Sequence, residues 1–120
     1  MGETVYRIQD HVGRGPFRPG FSHRWTDDSF TGGCKAHPTW MEEFGEDLIA
    51  RRGKPGEHFG SAVRTFEKLC EWFSPTEQRK LAAFGFHAVS MSVERILAES
   101  QNQLVFARKL PLHWSVMIIP

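Results

Sequence analysis

The sequence lacks the cysteine and histidine spacings that metal centres and disulfide frameworks depend on. It has two cysteines, Cys34 and Cys70, which form no CxxC pair, and its six histidines include no HxH or HxxxH arrangement. Structural zinc sites and small disulfide-linked secreted domains require such spacings. We therefore expect free thiols, no bound metal, and a reducing, cytoplasmic setting.

Long apolar runs and an excess of one charge are also missing. No stretch approaches the roughly 18 apolar residues that cross a membrane, and the first ten residues contain no apolar core of a signal peptide. The formal net charge is +1 with neutral histidines. A general nucleic-acid binder needs a basic surface that displaces counterions. We therefore expect neither membrane association nor general nucleic-acid binding.

The motifs of several common enzyme classes are absent as well. Gly60-Ser61-Ala62 is not the GxSxG turn of a serine hydrolase. The segment GRGPFRPG at residues 13–20 is neither a GxGxxG fingerprint nor a P-loop. It does carry Arg14 and Arg18 on a constrained backbone, and a guanidinium can hold a phosphate through two parallel donors. A surface loop fixed by its aromatic residues is the alternative interpretation of this segment.

Aromatic residues are abundant, with ten Phe, four Trp and one Tyr. Each such side chain buries roughly 150–250 Å², so residues 1–120 can form one domain with a substantial core. The polar, Gly-rich stretch 26–38 is expected to be its most mobile part.

Patterns of apolar and capping residues predict both strands and helices. Alternation and β-rich composition predict strands, and apolar spacing with capping residues predicts helices, in which Leu81, Ala82 and Phe84 face inward. The predicted strands cover residues 5–9, 89–93, 103–108 and 114–119, and the predicted helices cover 39–52, 65–73 and 75–84. This order is typical of an α+β fold, with a small, mostly antiparallel sheet and about three helices.

Two short strands at opposite ends of the chain each carry a polar side chain that a strand does not require. Tyr6-Arg7-Ile8 begins the chain, and Gln103-Leu104-Val105-Phe106 lies close to its end. We expect the fold to bring Arg7 and Gln103 to one cleft between neighbouring strands. Such a cleft would be a binding site.

The layout of these residues resembles small ADP-ribosyltransferase-like proteins of phage and bacteria. The resemblance rests on Tyr6-Arg7 in the first strand, on Gly60-Ser61-Ala62 before a helix capped by Thr65, and on the late strand from Gln103. The start YRxxDxxGRGP is also similar to that of short phage and bacterial proteins. Some phage proteins with the transferase fold modify host CRISPR machinery, so the resemblance implies an anti-defence role.

The resemblance also implies a role for each matching residue around NAD. Tyr6 and Arg7 would bind the cofactor, with Arg14 and Arg18 on its pyrophosphate. Ser61 or Thr65 would be the central hydroxyl, and Phe59 or Phe66 would stack on nicotinamide. Gln103 stands where the catalytic glutamate is expected, and Glu99 is the alternative acid. An amide supplies no negative charge to an oxocarbenium-like transition state, so nucleotide binding without turnover is a further alternative.

Two other functions are compatible with the sequence. The first is a non-catalytic phage or bacterial protein that inhibits a host complex, as an anti-CRISPR does, through the aromatic and Arg-rich segment 17–40. Exposed Trp25 and Trp40 would favour it, because Trp and Arg dominate interface hot spots. The second is a metal- or thiol-dependent hydrolase. Under the first, as under the transferase, we expect a protein target.

Overall fold

The computed structural model describes residues 2–17, 24–25 and 39–119, and within these residues it is an α+β fold of two three-stranded sheets and four helices. In chain order the elements are β1 (Glu3–Gln9), α1 (Trp40–Phe44), α2 (Leu48–Arg52), β2 (His58–Ala62), α3 (Phe66–Trp72), α4 (Pro75–Ala83), β3 (His87–Val93), β4 (Arg95–Glu99), β5 (Leu104–Arg108) and β6 (Val116–Ile118). The α+β class and the antiparallel pairing are confirmed.

The first sheet has the strand order β1-β3-β6, with both pairs antiparallel. The apolar residues that alternate along β3, Val89, Met91 and Val93, are all buried, as predicted. Arg7 of β1 lies directly opposite Val89. Opposite residues of an antiparallel pair project to the same face, so the Arg7 side chain points to the buried face of the sheet.

The second sheet has the order β2-β5-β4, also antiparallel, and every residue of its central strand β5 is buried. Leu104 and Phe106 pack against Val5 and Val89 between the two sheets. Val105 and Ala107 project to the opposite face and contact Leu48 of α2. The molecule is therefore layered, with an apolar layer between the sheets and helices on their outer faces.

Strand β2 was not among the strands predicted from the sequence. Its five residues, HFGSA, include Gly60 and Ser61, which have little intrinsic preference for strands. Pairing with β5 holds them extended nonetheless. Tertiary context therefore outweighs local propensity in β2.

A bridge between Tyr6 and Val63 joins the two sheets. Tyr6 N donates to Val63 O at 2.8 Å, and Val63 N donates to Tyr6 O at 2.9 Å. Val63 directly follows β2, so this bridge sets the middle of β1 beside the end of β2.

The single helix predicted over residues 39–52 is wrong. Thr39 does cap a helix, because its hydroxyl accepts a hydrogen bond from Glu42 N at 3.2 Å. However, Gly45 has φ 99° and ψ 145°, a backbone conformation that ends α1 after Phe44. The chain resumes as α2 at Leu48, so two short helices replace one and the total is four rather than about three.

The helices α3 and α4 lie where the sequence predicted them, with Thr65 and Ser74 as their N-caps. Leu81 is fully buried, but Ala82 and Phe84 are exposed, so the prediction that all three face inward is wrong. Ala82 is one position past Leu81 and therefore about 100° further around the helix. Phe84 follows the last helical residue, and Phe86 takes the core position instead.

Several predictions fall on residues 18–23 and 26–38, outside the described part of the chain. They include the roles of Arg18 and Cys34 and the mobility of the Gly-rich stretch. Among the described helices, the longest has nine residues, and none has the length and apolarity to cross a membrane.

The capping box of α4 yields a stability prediction. Ser74 Oγ accepts from Glu77 N at 3.1 Å, Glu77 Oε1 accepts from Ser74 N at 2.9 Å, and both residues are buried. Ser74→Ala should lower the free energy of unfolding by about 1–2 kcal/mol, measured by urea denaturation. Ser92→Ala, on the exposed face of β3, is the control and should change it by less than about 0.5 kcal/mol. Equal losses in the two variants would contradict the capping role.

Candidate functional site

A pocket opens where β1, the end of β2 and α3 meet. Its empty space, including space open to solvent, is about 420 Å³. The lining residues are Tyr6, Arg7, Ile8, Gly15, Pro16, Phe17, Ser61, Ala62, Val63, Leu69, Trp72, Phe73 and Gln103. Four of the residues selected from the sequence, Tyr6, Arg7, Ser61 and Gln103, therefore share one cavity.

Arg7 reaches this pocket from β1 of the first sheet, whereas Gln103, predicted to begin a strand, lies just before β5 of the second sheet. They are 9% and 6% exposed, respectively. The sequence placed them on neighbouring strands, which is wrong, because β1 lies in the first sheet and β5 in the second. The Tyr6–Val63 bridge, rather than strand pairing between β1 and β5, brings the two residues to one cavity.

The Arg7 guanidinium is buried, and its Nε and Nη1 have no hydrogen-bond partner among the residues that the structure describes. It occupies space that Gly60 leaves open, because a Cβ atom at Gly60 would overlap Nη1. On the other side, a Cβ atom at Gly15 would lie 3.3 Å from Nη2. Buried polar groups in proteins nearly always have partners. The unpaired guanidinium therefore requires a functional or structural explanation.

Two interactions partly offset the burial of this charge. The Arg7 Cζ lies 5.8 Å from the centroid of the Phe106 ring, within cation–π range. Burial lowers the pKa of Arg7 from its usual value to about 10, and the negative charge of Asp10 opposes this decrease. Because a pKa of about 10 is well above neutral pH, Arg7 keeps its positive charge there.

Asp10 and Arg14 form a turn beside the pocket. Asp10 Oδ1 accepts from Arg14 N at 2.8 Å and from Val12 N at 3.0 Å, and Oδ2 accepts from Arg14 Nε at 3.1 Å. Burial alone would raise the pKa of Asp10, but these hydrogen bonds and the charge of Arg14 lower it. The Arg14 side chain is exposed and bound to Asp10, and it does not line the pocket.

The Gln103 side chain is held by an acidic residue that the sequence did not single out. Gln103 Nε2 donates to Glu43 Oε1 at 3.0 Å, and Asn102 Nδ2 donates to Glu43 Oε2 at 3.0 Å. Glu43 projects from α1, about 60 residues away in sequence. The amide of Gln103 is thus oriented by a carboxylate on another element.

Glu99 and Thr65 lie outside the pocket, in a second groove on the far side of Gln103. The Arg64 guanidinium donates to Glu99 at 2.5 and 2.8 Å and to Glu3 at 2.6 Å. The hydrogen bonds from Arg64 lower the pKa of Glu99, although partial burial opposes the decrease. Thr65 Oγ1 accepts from Lys68 N at 3.1 Å as the cap of α3. Both residues therefore already have structural roles.

Three aromatic residues that line the pocket, Phe17, Trp72 and Phe73, are called the aromatic wall. Trp25 is completely buried behind it, with ring centroids 5.6 Å from both Phe17 and Phe73. Phe17 itself is 52% exposed. Neither Trp25 nor the half-buried Trp40 is an exposed aromatic residue of the segment 17–40.

The sequence offered little signal for Glu43, Gly60 and the aromatic wall. The pairing of Glu43 with Gln103 depends on the tertiary fold. The space left by Gly60 depends on the register of β2 against β5, in which Gly60 faces Phe106. Neither Phe59 nor Phe66, the expected nicotinamide-stacking residues, lines the pocket. In the described part of the chain, no group of three potential metal ligands is present.

Comparisons with known proteins found one family. Neither curated proteins nor solved structures gave a match, so no comparison links the chain to ADP-ribosyltransferases. The bacteriophage T4 Y00F protein family matches residues 1–115, which agrees with the phage part of the resemblance. Because this match covers nearly all of its 120 residues, the chain belongs to the bacteriophage T4 Y00F protein family.

Proposed function

We propose that this phage-family protein binds an anionic nucleotide, NAD in the first instance, in the Arg7 pocket. One observation carries the proposal: the Arg7 guanidinium is charged, buried and without hydrogen-bond partners for Nε and Nη1. A phosphate bound at its pocket side would add negative charge to that of Asp10, which offsets the burial of Arg7 only in part. Arginine suits this role because its planar fork matches a phosphate group.

The shape and lining of the pocket support a ligand that is partly aromatic. Phe17, Trp72 and Phe73 offer apolar ring surface opposite the single cation. Ligand sites generally combine such apolar walls with a few well-placed polar groups. A nucleotide carries both a flat ring and phosphate, so it matches this combination better than a purely apolar molecule or a free inorganic anion does.

The site favours binding over transfer of ADP-ribose. Transfer would require a carboxylate beside the ligand to stabilise an oxocarbenium-like transition state. Glu99 is bound to Arg64 outside the pocket, and Gln103 supplies only an amide. Glu43 is the carboxylate next to Gln103, but it does not line the pocket. We therefore propose an ADP-ribosyltransferase-like binding protein without turnover, and no modification of a host protein.

A second candidate is an interaction protein that inhibits a host complex, such as an anti-CRISPR. The exposed Phe17 at the pocket favours it, because large apolar side chains at a surface are common in protein interfaces. Trp25 does not contribute to such a surface, since it is completely buried. This candidate takes precedence only if the pocket binds no nucleotide.

Replacing Arg7 with methionine tests the proposal directly. Wild-type protein at about 100 times the dissociation constant of NAD should gain roughly 2.7 kcal/mol of stability, seen as a thermal-midpoint increase of several degrees. Arg7→Met should abolish this response. Without NAD, its midpoint should equal or exceed that of wild type, because an unpaired buried group costs roughly 1–3 kcal/mol. Differential scanning fluorimetry gives both quantities.

The matched control is Arg79→Met, which removes an exposed arginine of α4 outside the pocket. It should keep the full response to NAD. Nicotinamide alone, which has no phosphate, should give no response with either protein. The proposal is wrong if wild type does not respond to NAD, or if Arg7→Met still responds.

Gly60→Ala provides a test that keeps the arginine. The added Cβ would overlap Arg7 Nη1 and approach the Phe106 ring to 2.9 Å, so the guanidinium must move. We expect NAD affinity to fall at least about tenfold, or about 1.4 kcal/mol, measured by isothermal titration calorimetry. Gly56→Ala is the control: its φ of +82° disfavours alanine, but no atom lies within 4 Å of the added Cβ. Equal NAD affinity in both variants would contradict the positioning of Arg7 by Gly60.

A further inference from the structure

A second groove adjoins the Arg7 pocket. It is lined by Val63, Arg64, Thr65, Lys68, Glu99, Ser100, Gln101, Asn102, Gln103 and Leu104. Val63 and Gln103 also line the Arg7 pocket. These two side chains therefore form the wall between the two cavities, and a ligand that leaves the first over this wall enters the second.

The two cavities differ in the space that they offer to a ligand. About 60 Å³ of the Arg7 pocket is open to the centres of water-sized groups, against about 230 Å³ in the groove. A space of this size does not enclose a dinucleotide. If NAD places one part beside Arg7, the rest of the molecule must lie elsewhere on the surface, and the groove is the adjoining space.

The charges of the groove identify one cation that can contact a ligand. Arg64 is held by close hydrogen bonds to Glu3 and Glu99. Within the described parts of the chain, the Lys68 ammonium pairs with Glu71 at 3.5 Å, and the Glu71 side chain is 62% exposed. Such a long ion pair at the surface contributes little free energy. Lys68 can therefore exchange Glu71 for a ligand phosphate with almost no loss of free energy.

We propose that the groove is the second half of a dinucleotide site, with Lys68 contacting the part of the ligand that extends beyond Gln103. This inference rests on the proposed function and narrows its ligand class: an extended nucleotide with phosphate near both Arg7 and Lys68. A mononucleotide occupies one cavity only. The ligand passes from one cavity to the other over Val63 and Gln103, which line both. Glu43 orients the Gln103 amide at this point.

The test compares NAD with its two halves, nicotinamide mononucleotide and AMP, by isothermal titration calorimetry. For wild type, NAD should bind at least about tenfold more tightly than either half. One of the two halves should lose affinity in Arg7→Met, and we call it the Arg7-dependent half. Lys68→Gln should remove most of the advantage of NAD while leaving the affinity of the Arg7-dependent half unchanged. Lys80→Gln, on the exposed surface of α4 outside both cavities, should change none of the affinities.

A second variant tests the groove without touching Lys68. Gln101 is exposed and lines the groove, so Gln101→Glu adds a negative charge there without disturbing the core. Charge repulsion should lower the affinity for NAD by at least about threefold. The affinity for the Arg7-dependent half should not change.

The outcomes separate this inference from the proposed function. If NAD binds no more tightly than its tighter half, or if Lys68→Gln and Gln101→Glu leave the NAD advantage intact, the groove is not part of the site, while Arg7-dependent binding stands. If neither NAD nor either half binds wild type, both proposals are overturned.

Discussion

The two hydrogen bonds between Tyr6 and Val63 are the constraint on which the site depends. Each sheet has only three strands, and the apolar layer between them would permit several relative placements, since apolar packing is not directional. Backbone hydrogen bonds are directional and fix a register. By joining β1 to the end of β2, the bridge brings Arg7 and Ser61 to one pocket and places Val63 where both the pocket and the groove are lined by it.

The same placement explains why Arg7 is buried at all. Its position opposite Val89 directs it into the layer between the sheets, where Val5 occupies an equivalent position two residues earlier. An apolar residue there would continue the core. Arginine is tolerated because Gly60 leaves room, the Phe106 ring faces the cation, and Asp10 lies nearby. The lowered pKa means that burial destabilises the charged form of Arg7 by roughly 3 kcal/mol relative to water. With a pKa of about 10, Arg7 is nevertheless charged at neutral pH.

Sequence reasoning performed well where local chemistry decides the structure. The caps Thr39, Thr65 and Ser74 each bind the backbone that their patterns predicted, and the alternating residues of β3 define its buried face. It failed where a single backbone angle or a distant partner decides. Gly45 breaks a helix whose apolar spacing is continuous, and β2 is extended only because β5 pairs with it. For the site, Arg7 and Gln103 were identifiable as unusual strand residues, whereas Gly60 and Glu43 acquire meaning only through contacts made across the fold.

Comparison with Arg108 separates a structural buried arginine from a functional one. Arg108 is 2% exposed, and its Nη1 and Nη2 donate to the carbonyls of Pro111 and Ser115 at 3.0 and 3.2 Å. Those bonds hold the connection between β5 and β6 in place, so contacts within the chain explain the burial of Arg108. Arg7 is similarly buried, yet its Nε and Nη1 hold no part of the chain in place. Since desolvating a charge without partners opposes folding, a residue that only stabilised this fold would be apolar at this position. The buried charge of Arg7 is therefore the observation on which the proposed anionic ligand rests.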